Sequence, residues 1–129
     1  MKQQIAVVFD DDDLFRSLFT RILREKGFKV TTYSDPSLYF CSHPSIKTCP
    51  VETPCVDFLL SDNKMPEMTG LEFLERIKQM GCKIPDKRKA IVSGSLENGE
   101  QQKAMQLTSN VFDKSDAKEK ISFWIEESK

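Results

Sequence analysis

Short apolar segments alternate with segments of helical periodicity along the chain, and this alternation is what most constrains its fold. The predicted strands are IAVVF (5–9), FKVTTY (28–33), VDFLL (56–60), KAIVSG (89–94) and NVFDK (110–114). The predicted helices are 13–27, a short one in 35–42, 70–83, 97–109 and 116–129. Five strand–helix repeats are typical of an α/β domain with a parallel sheet. The sequence therefore predicts one such domain over residues 1–129.

The predicted helices differ in how much apolar surface they offer for packing. In the first helix the apolar residues repeat on one face: Leu14, Phe15, Leu18, Phe19, Ile22 and Leu23. The helix 97–109 offers only Ala104, Met105 and Leu107 for burial. In the last helix, Trp124 is predicted to lie in the core and Phe123 close to it. We therefore expect the 97–109 helix to be a mobile element, because little apolar burial holds it in place.

Charge and hydropathy exclude several classes of protein. The chain has 19 basic and 20 acidic side chains and a net charge of -1, whereas a nucleic-acid-binding domain usually carries a basic excess. No apolar run approaches the length of a membrane span. The N-terminal segment has too short an apolar stretch for a signal peptide. We therefore expect a cytoplasmic protein that binds neither nucleic acid nor membrane directly.

The cysteines allow two interpretations. They are Cys41, Cys49, Cys55 and Cys82, and in the cytoplasm they are expected to be reduced thiols. The first three of them, together with His43, could supply four zinc ligands. Their spacing, however, lacks the C-x2-C pair of well-defined zinc sites. The alternative is that the proline-rich segment 43–55 is an ordered surface loop that happens to hold thiols.

Polar side chains follow four of the predicted strands at the point where each strand ends. They are Asp10 to Asp13 after the first strand, Asp62 after the third, Ser93 with Gly94 at the end of the fourth, and Lys114 at the end of the fifth. The carboxyl ends of parallel strands meet at one edge of a sheet, and ligands of α/β proteins bind there. We therefore expect these carboxylates, the hydroxyl and the ammonium to lie close together.

This grouping has chemical consequences. Two carboxylates about 5 Å apart repel by about 3 kcal/mol at an effective dielectric constant of about 20, so a proton or a cation is expected among them. Carboxylate oxygens suit Mg²⁺. Lys114 and Ser93 could bind a phosphoryl group, and one carboxylate could act as a nucleophile and form an acyl phosphate. Taken singly, each residue could also be a helix cap, a turn residue or a solvated lysine.

Four segments carry a resemblance to a known family. AVVFDDDDLFR, LLSDNKMPEMTG, IVSGS and FDKS resemble, in order and spacing, the signature segments of the receiver domain of two-component response regulators. The resemblance covers essentially the whole chain and is greatest to stand-alone receivers. It implies a flavodoxin-like fold, which is a doubly wound sheet of five parallel strands in the order 2-1-3-4-5.

The resemblance also implies a role for each site residue. Asp62 would be the phosphoacceptor, Ser93 would bond a phosphoryl oxygen, and Lys114 would pair with the phosphoryl group. The implied Mg²⁺ ligands are Asp10 (largely through a water), Asp11, Asp62 and the backbone carbonyl of Lys64. Pro66 and Gly70 fit the loop that follows the phosphoacceptor in this family.

The implied function is phosphorelay signalling. A histidine kinase or histidine phosphotransfer protein would donate the phosphoryl group to Asp62. The surface of the fourth helix, fifth strand and fifth helix (97–109, 110–114 and 116–129) would then change and signal to a downstream protein. No enzymatic activity is expected beyond the protein's own phosphorylation and dephosphorylation. Two alternatives are a receiver-like interaction module that is not phosphorylated, and an aspartyl-nucleophile hydrolase, whose familiar D-x-D motif followed by Thr or Val is missing.

The chain departs from the family pattern at several positions. Ser115 follows Lys114 where the family usually has a proline after a cis bond, so this bond could be trans. Val111 stands where an aromatic ring often moves inward on activation. Lys64 and Ser95 occupy the two variable positions that border the site and influence the lifetime of the phosphoryl group. The 43–55 loop is longer than is usual in the family.

Overall fold

A single five-stranded sheet forms the centre of the computed structural model, which describes residues 3–94, 96–108 and 110–128. The strands are β1 (Ile5–Phe9), β2 (Lys29–Tyr33), β3 (Phe58–Asp62), β4 (Lys89–Ser93) and β5 (Asn110–Asp113). All four strand pairs are parallel, and the strand order is 2-1-3-4-5. The flavodoxin-like order expected from the resemblance is therefore confirmed.

The described residues form four α-helices, of which three connect strands of the sheet and the last follows β5. They are α1 (Asp13–Glu25), α2 (Gly70–Gln79), α3 (Asn98–Leu107) and α4 (Ala117–Ser128). The short helix predicted in 35–42 forms as two 3-10 helices, Pro36–Leu38 and Phe40–Ser42, and not as one continuous helix. Asp35 does cap the first turn, but Tyr39 has an extended backbone (φ -84°, ψ 146°) and interrupts the helical geometry. None of the described helices combines the length and the hydropathy that crossing a membrane requires.

The third strand begins two residues later than the sequence predicts. Val56 and Asp57 precede β3 instead of opening it, and the strand includes Asp62 as its last residue. The carboxylate of Asp57 accepts a hydrogen bond of 2.7 Å from the amide of Ile5, so a side chain occupies the place of a backbone partner. Because β3 extends to Asp62, this residue lies within the sheet, at the carboxyl end of its strand.

Side chains of the central strands alternate between two apolar clusters, one on each face of the sheet. Val7, Leu59 and Ile91 pack on the face covered by α2, α3 and the 3-10 turns. Their neighbours Val8, Leu60 and Val92 pack on the face covered by α1 and α4. Because both faces are covered, the inner strands are apolar throughout, as the sequence pattern indicates.

Three apolar side chains that were expected to be buried are exposed instead. Leu14 is 83% exposed, Met105 74% and Phe123 67%. At about 100° per residue, Leu14 points roughly 140° away from the centre of the α1 face that buries Phe19. The other two are turned away from their helices' buried faces in the same manner. The prediction for Trp124 is confirmed, since this side chain is 4% exposed and its Nε1 donates to the Lys87 carbonyl.

The connection between the second 3-10 turn and β3 contains neither helix nor strand, as expected for the 43–55 loop. It is nevertheless tied to the α2 region at several points. The Cys49 amide donates to the carbonyl of Met80 over 2.7 Å. The Arg76 guanidinium donates to the carbonyl of His43 over 3.3 Å. The loop is therefore an ordered excursion over the surface.

Gly70 lets the first turn of α2 approach the end of β3. A Cβ at this position would overlap the backbone carbonyl oxygen of Asp62 and would lie 3.0 Å from the Ser61 Oγ. Because the obstructing atom at Asp62 belongs to the backbone, a side chain here cannot be accommodated by rotation. In α3, by contrast, a Cβ at Gly99 would meet nothing within 4 Å.

We predict that Gly70→Ala lowers the free energy of unfolding by about 1–3 kcal/mol, because the added methyl group overpacks the junction of β3 and α2. Gly99→Ala is the matched control. It should leave stability unchanged or raise it by up to about 1 kcal/mol, since alanine favours the helix. Urea denaturation of both variants provides the measurement, and equal stabilities would contradict the close approach at Gly70.

Candidate functional site

Three carboxylates meet at the carboxyl edge of the sheet. Asp10 and Asp11 follow β1, and Asp62 ends β3, the strand that pairs directly with β1. Their carboxylate oxygens lie within 4.8 Å of one another. Asp10 and Asp62 are 0% and 5% exposed, whereas Asp11 is exposed. The expectation that the ends of these strands bring their carboxylates together is therefore correct.

Lys114 follows the edge strand β5, and its side chain extends past β4 to reach these carboxylates. Its Nζ lies 3.4 Å from Asp62 Oδ2 and 3.5 Å from Asp10 Oδ2, and its side chain is only 16% exposed. The described part of the chain contains no cis peptide bond, so the Lys114–Ser115 bond is trans, as the missing proline indicates. The ammonium therefore reaches both carboxylates without the cis bond that is usual at this point in the family.

Burial makes the negative charges in this group costly. Loss of water raises the pKa of Asp10 to about 6, and the neighbouring Asp62 adds to the increase, against a hydrogen bond from the Asp12 amide and the charge of Lys114. Burial also raises the pKa of Asp62, although Lys114 and the Asn63 amide oppose the increase. A single ammonium thus does not compensate for the crowded carboxylates.

The donor atoms of the group fit a hard divalent cation. Asp10 Oδ2 is buried and accepts no hydrogen bond from the described residues, and its nearest cation is Lys114 Nζ at 3.5 Å. Carboxylate oxygens at this spacing are the ligands that Mg²⁺ and Ca²⁺ take in proteins. Among the described residues, no other set of three acidic, cysteine or histidine side chains brings its ligand atoms this close.

Asn63 holds the Asp62 carboxylate and the loop that follows it. Its amide donates to Asp62 Oδ1 over 2.8 Å, and its own side-chain oxygen accepts from the Leu71 amide over 3.1 Å. The side-chain amino group of Asn63 donates to Glu100 Oε2 in α3 over 3.0 Å. The fully buried Asn63 side chain therefore links the Asp62 loop to both α2 and α3.

Two further predicted site residues lie at the same edge. Ser93 ends β4, next to Val92, which pairs with Asp62, and it is 4% exposed. It borders a cavity of about 210 Å³ that Val111 also lines. Lys64 follows the Asp62–Asn63 pair and has an exposed side chain. Ser95, the second variable position, lies outside the described residues.

The two acidic residues that follow Asp11 stabilise the start of α1. Asp12 is the N-cap of α1, as expected for one of these residues, because its Oδ1 accepts from the amides of Leu14 and Phe15. Asp13 pairs with Arg16. The Arg16 guanidinium also donates to the backbone carbonyl of Asp10 over 2.8 Å. This turn thus anchors the backbone that carries the acidic pair.

The cysteine and histidine residues form no ready-made zinc site within the described chain. No three of their sulfur or nitrogen atoms approach one another as closely as the carboxylate oxygens do. His43 Nδ1 is instead 2.7 Å from Ser45 Oγ, and all four cysteines are free thiols. The geometry therefore favours an ordered loop that contains thiols.

Sequence reasoning missed two neighbours of the site. Phe15 was assigned only to the apolar face of α1, yet the Lys114 ammonium lies 4.2 Å from the centre of its ring. Asn63 was not singled out at all. Their place in the sequence could have indicated both, because Phe15 lies just after the acidic run and Asn63 directly follows Asp62.

Comparison with known structures identifies the fold. The chemotaxis protein CheY4 of Vibrio cholerae aligns with a TM-score of 0.72 at 18% identity, over 99% of this chain and 100% of that chain. A response regulator receiver protein from Pseudoalteromonas atlantica aligns with a TM-score of 0.76 at 11% identity, over 95% and 94%. At such identities the likeness shows the fold alone, which is the CheY-like fold of receiver domains.

Sequence comparison identifies the family. The response regulator receiver domain matches residues 6–121, and the chain belongs to this family. Over 85 residues, 66% of this chain, it is 34% identical to the DNA-binding transcriptional regulator NtrC of Klebsiella pneumoniae. It spans only 16% of the length of that relative.

The raised pKa of Asp10 predicts how stability depends on pH in metal-free buffer. Because the pKa in the folded state is about 6 against 3.8 for an ordinary aspartate, ionisation of Asp10 costs stability progressively above pH 3.8 and fully above about pH 6. Asp10→Asn should therefore be more stable than wild type by up to about 3 kcal/mol at pH 7.5 with EDTA, and equally stable near pH 4.

Urea denaturation at both pH values measures this difference. Asp116→Asn, which removes an exposed carboxylate outside the group, serves as the control for the loss of one negative charge. A stability gain of Asp10→Asn that is independent of pH would contradict the predicted cost of the buried charge.

Proposed function

We propose that this chain is a phosphoacceptor in a two-component phosphorelay and that Asp62 receives the phosphoryl group. The donor is the phosphohistidine of a histidine kinase or of a histidine phosphotransfer protein. The observation that carries the proposal is the ammonium of Lys114 beside the buried Asp62 carboxylate, at 3.4 Å, within a group of three carboxylates. Membership of the receiver family supports it.

The transfer is a displacement at phosphorus. An oxygen of the Asp62 carboxylate forms the new O–P bond while the P–N bond of the phosphohistidine breaks. The electron pair of that bond leaves with the imidazole nitrogen, which takes a proton from solvent. The Asn63 amide holds Oδ1, so Oδ2, the oxygen nearest to Lys114, is oriented as the nucleophile. Positioning and charge stabilisation supply most of the catalysis in such transfers.

The chain's own residues bind the transferred group. Lys114 pairs with the phosphoryl oxygens as a point charge, and the Ser93 hydroxyl donates a hydrogen bond to one of them. The residues that would hold Mg²⁺ are Asp10, Asp11, Asp62 and the backbone carbonyl of Lys64. When bound there, the ion would supply positive charge that offsets the repulsion among the carboxylates and the charge of the transferred group.

The phosphoryl group changes the surface formed by α3, β5 and α4, which contacts a downstream protein. Ser93 ends the strand that precedes α3, so movement of its hydroxyl toward the phosphoryl group displaces the start of that helix. Apolar packing holds α3 weakly, because Ala104 and Leu107 are its buried apolar side chains among those described. The phosphoryl group thus shifts an equilibrium between two positions of α3.

Glu100 couples the site to α3 in this proposal. Its carboxylate accepts from the Glu97 amide at the start of the helix over 3.2 Å and from the Asn63 side chain over 3.0 Å. These hydrogen bonds, the one from Glu97 first, lower the pKa of Glu100, so it stays ionised at neutral pH. Glu100 therefore fastens α3 to the residue next to Asp62 and favours the unphosphorylated position of the helix.

We predict that incubation with acetyl phosphate and Mg²⁺ adds one phosphoryl group to the wild-type protein, as measured by intact-protein mass spectrometry. Asp62→Asn should gain none, because the nucleophile is lost. Lys114→Met should react more slowly, since the transferred charge loses its ammonium partner. Glu52→Gln, which changes an exposed carboxylate of the 43–55 loop, is the control and should react as wild type.

Two outcomes of this experiment would contradict the proposal. No mass gain in the wild-type protein would instead favour an interaction module that keeps the receiver fold without phosphorylation. An equal gain in Asp62→Asn would place the modification at another residue. Adding EDTA to the wild-type reaction tests the cation separately, and the rate should then fall sharply.

We also predict that Glu100→Ala loosens α3. Hydrogen exchange of the α3 amides should accelerate by about fivefold, because the helix loses a cap and its bond to Asn63. Gln102→Ala, a change at an exposed position of the same helix, is the matched control and should leave exchange unchanged. Equal exchange in Glu100→Ala and wild type would show that Glu100 does not fasten the helix.

A further inference from the structure

The Lys114 ammonium lies against an aromatic ring as well as against carboxylates. Its Nζ is 4.2 Å from the centre of the Phe15 ring, well inside the range of about 6 Å over which a cation is attracted to an aromatic face. The two carboxylate contacts of the same atom are longer than an ordinary charged hydrogen bond, at 3.4 Å and 3.5 Å. The ring is thus a substantial part of what surrounds the ammonium.

Phe15 itself is firmly placed. It lies in the first turn of α1, where its amide donates to the capping Oδ1 of Asp12 over 3.3 Å. Its ring is 5.7 Å from the ring of the buried Phe19 and packs on the apolar cluster beneath α1 and α4. The ring therefore presents a fixed surface to the lysine.

Lys114 has a long, flexible side chain that the ring helps to order. It follows the edge strand β5 and begins a 3-10 turn of three residues, Lys114–Asp116. The next residue is Ser115, whose amide donates to Asp113 Oδ1 over 2.9 Å. A lysine side chain has many rotamers, and holding one of them has an entropic cost. Contact with the ring lowers the number of directions open to the ammonium.

We infer that Phe15 is a positioning residue for the proposed phosphoryl transfer, which it serves by holding Lys114 Nζ beside Asp62 Oδ2. This inference rests on the proposed function. Phe15 touches no reacting atom and acts through the lysine alone. A leucine would preserve most of the apolar packing but would offer no aromatic face, whereas a tyrosine would preserve both.

Two measurements on Phe15→Leu, Phe15→Tyr and Phe28→Leu test this inference. Proton NMR should show the ε-methylene protons of Lys114 shifted upfield by the ring current in wild type and Phe15→Tyr, with the shift lost in Phe15→Leu. With acetyl phosphate, Phe15→Leu should lower the rate constant at saturating donor by about threefold to tenfold, with little change in KM. Phe28→Leu removes a buried ring of the same apolar cluster, which contacts the ring of Phe58, and should change neither readout.

The double variant Phe15→Leu/Lys114→Met separates positioning from packing. If Phe15 acts through the lysine, this protein should react as slowly as Lys114→Met alone. A further loss of the same size, or an upfield shift that persists in Phe15→Leu, would overturn the inference while leaving the proposed function intact. Absence of phosphorylation in the wild-type protein would overturn both, whatever the NMR result.

Discussion

Two buried carboxylates that share one ammonium form the interaction on which the rest of the site depends. Asp10 and Asp62 come from adjacent strands, and each lies within 3.5 Å of Lys114 Nζ, while the exposed Asp11 adds a third negative charge nearby. One positive charge against three negative ones leaves an excess that burial makes costly, and the raised pKa values of Asp10 and Asp62 express that cost. An arrangement of this kind favours the binding of a cation.

The strand order determines how this contact is made. β5 is separated from β3 by β4, and with strands about 4.8 Å apart Lys114 must extend across β4 to reach Asp62. Side chains of alternating direction put Lys114 on the same face as Phe112, which is the face covered by α1 and α4. The first turn of α1 stands on that face beside the acidic pair. The extended Lys114 side chain therefore contacts the ring of Phe15. This contact depends on the strand order as well as on the two residue types.

Strand ends were predictable because a short apolar run that stops at a charged residue is visible in sequence, and parallel strands collect their ends at one edge. This is why the meeting of Asp10, Asp62 and Lys114 could be expected. The start of β3 was not predictable, because Val56 continues the apolar run, and the hydrogen bond from the Ile5 amide to the Asp57 side chain is not visible in a hydrophobic pattern. The contact of Phe15 with Lys114 depends on how a helix sits on the sheet, and periodicity cannot specify that.

The helices α3 and α4 are held by different means, and this difference bears on the proposed switch. α4 buries Trp124 and Ile125, whereas α3 is fastened largely by polar contacts such as Asn63 with Glu100 and Lys103 with Glu75. In place of an inward-moving aromatic ring, Val111 lines a cavity beside Ser93. Valine has no ring that could rotate from the surface into this cavity, so a rotamer switch at position 111 is not available. The coupling we propose runs instead through the hydrogen bonds between the Asp62 loop and the start of α3, which the charge of a phosphoryl group can reach directly.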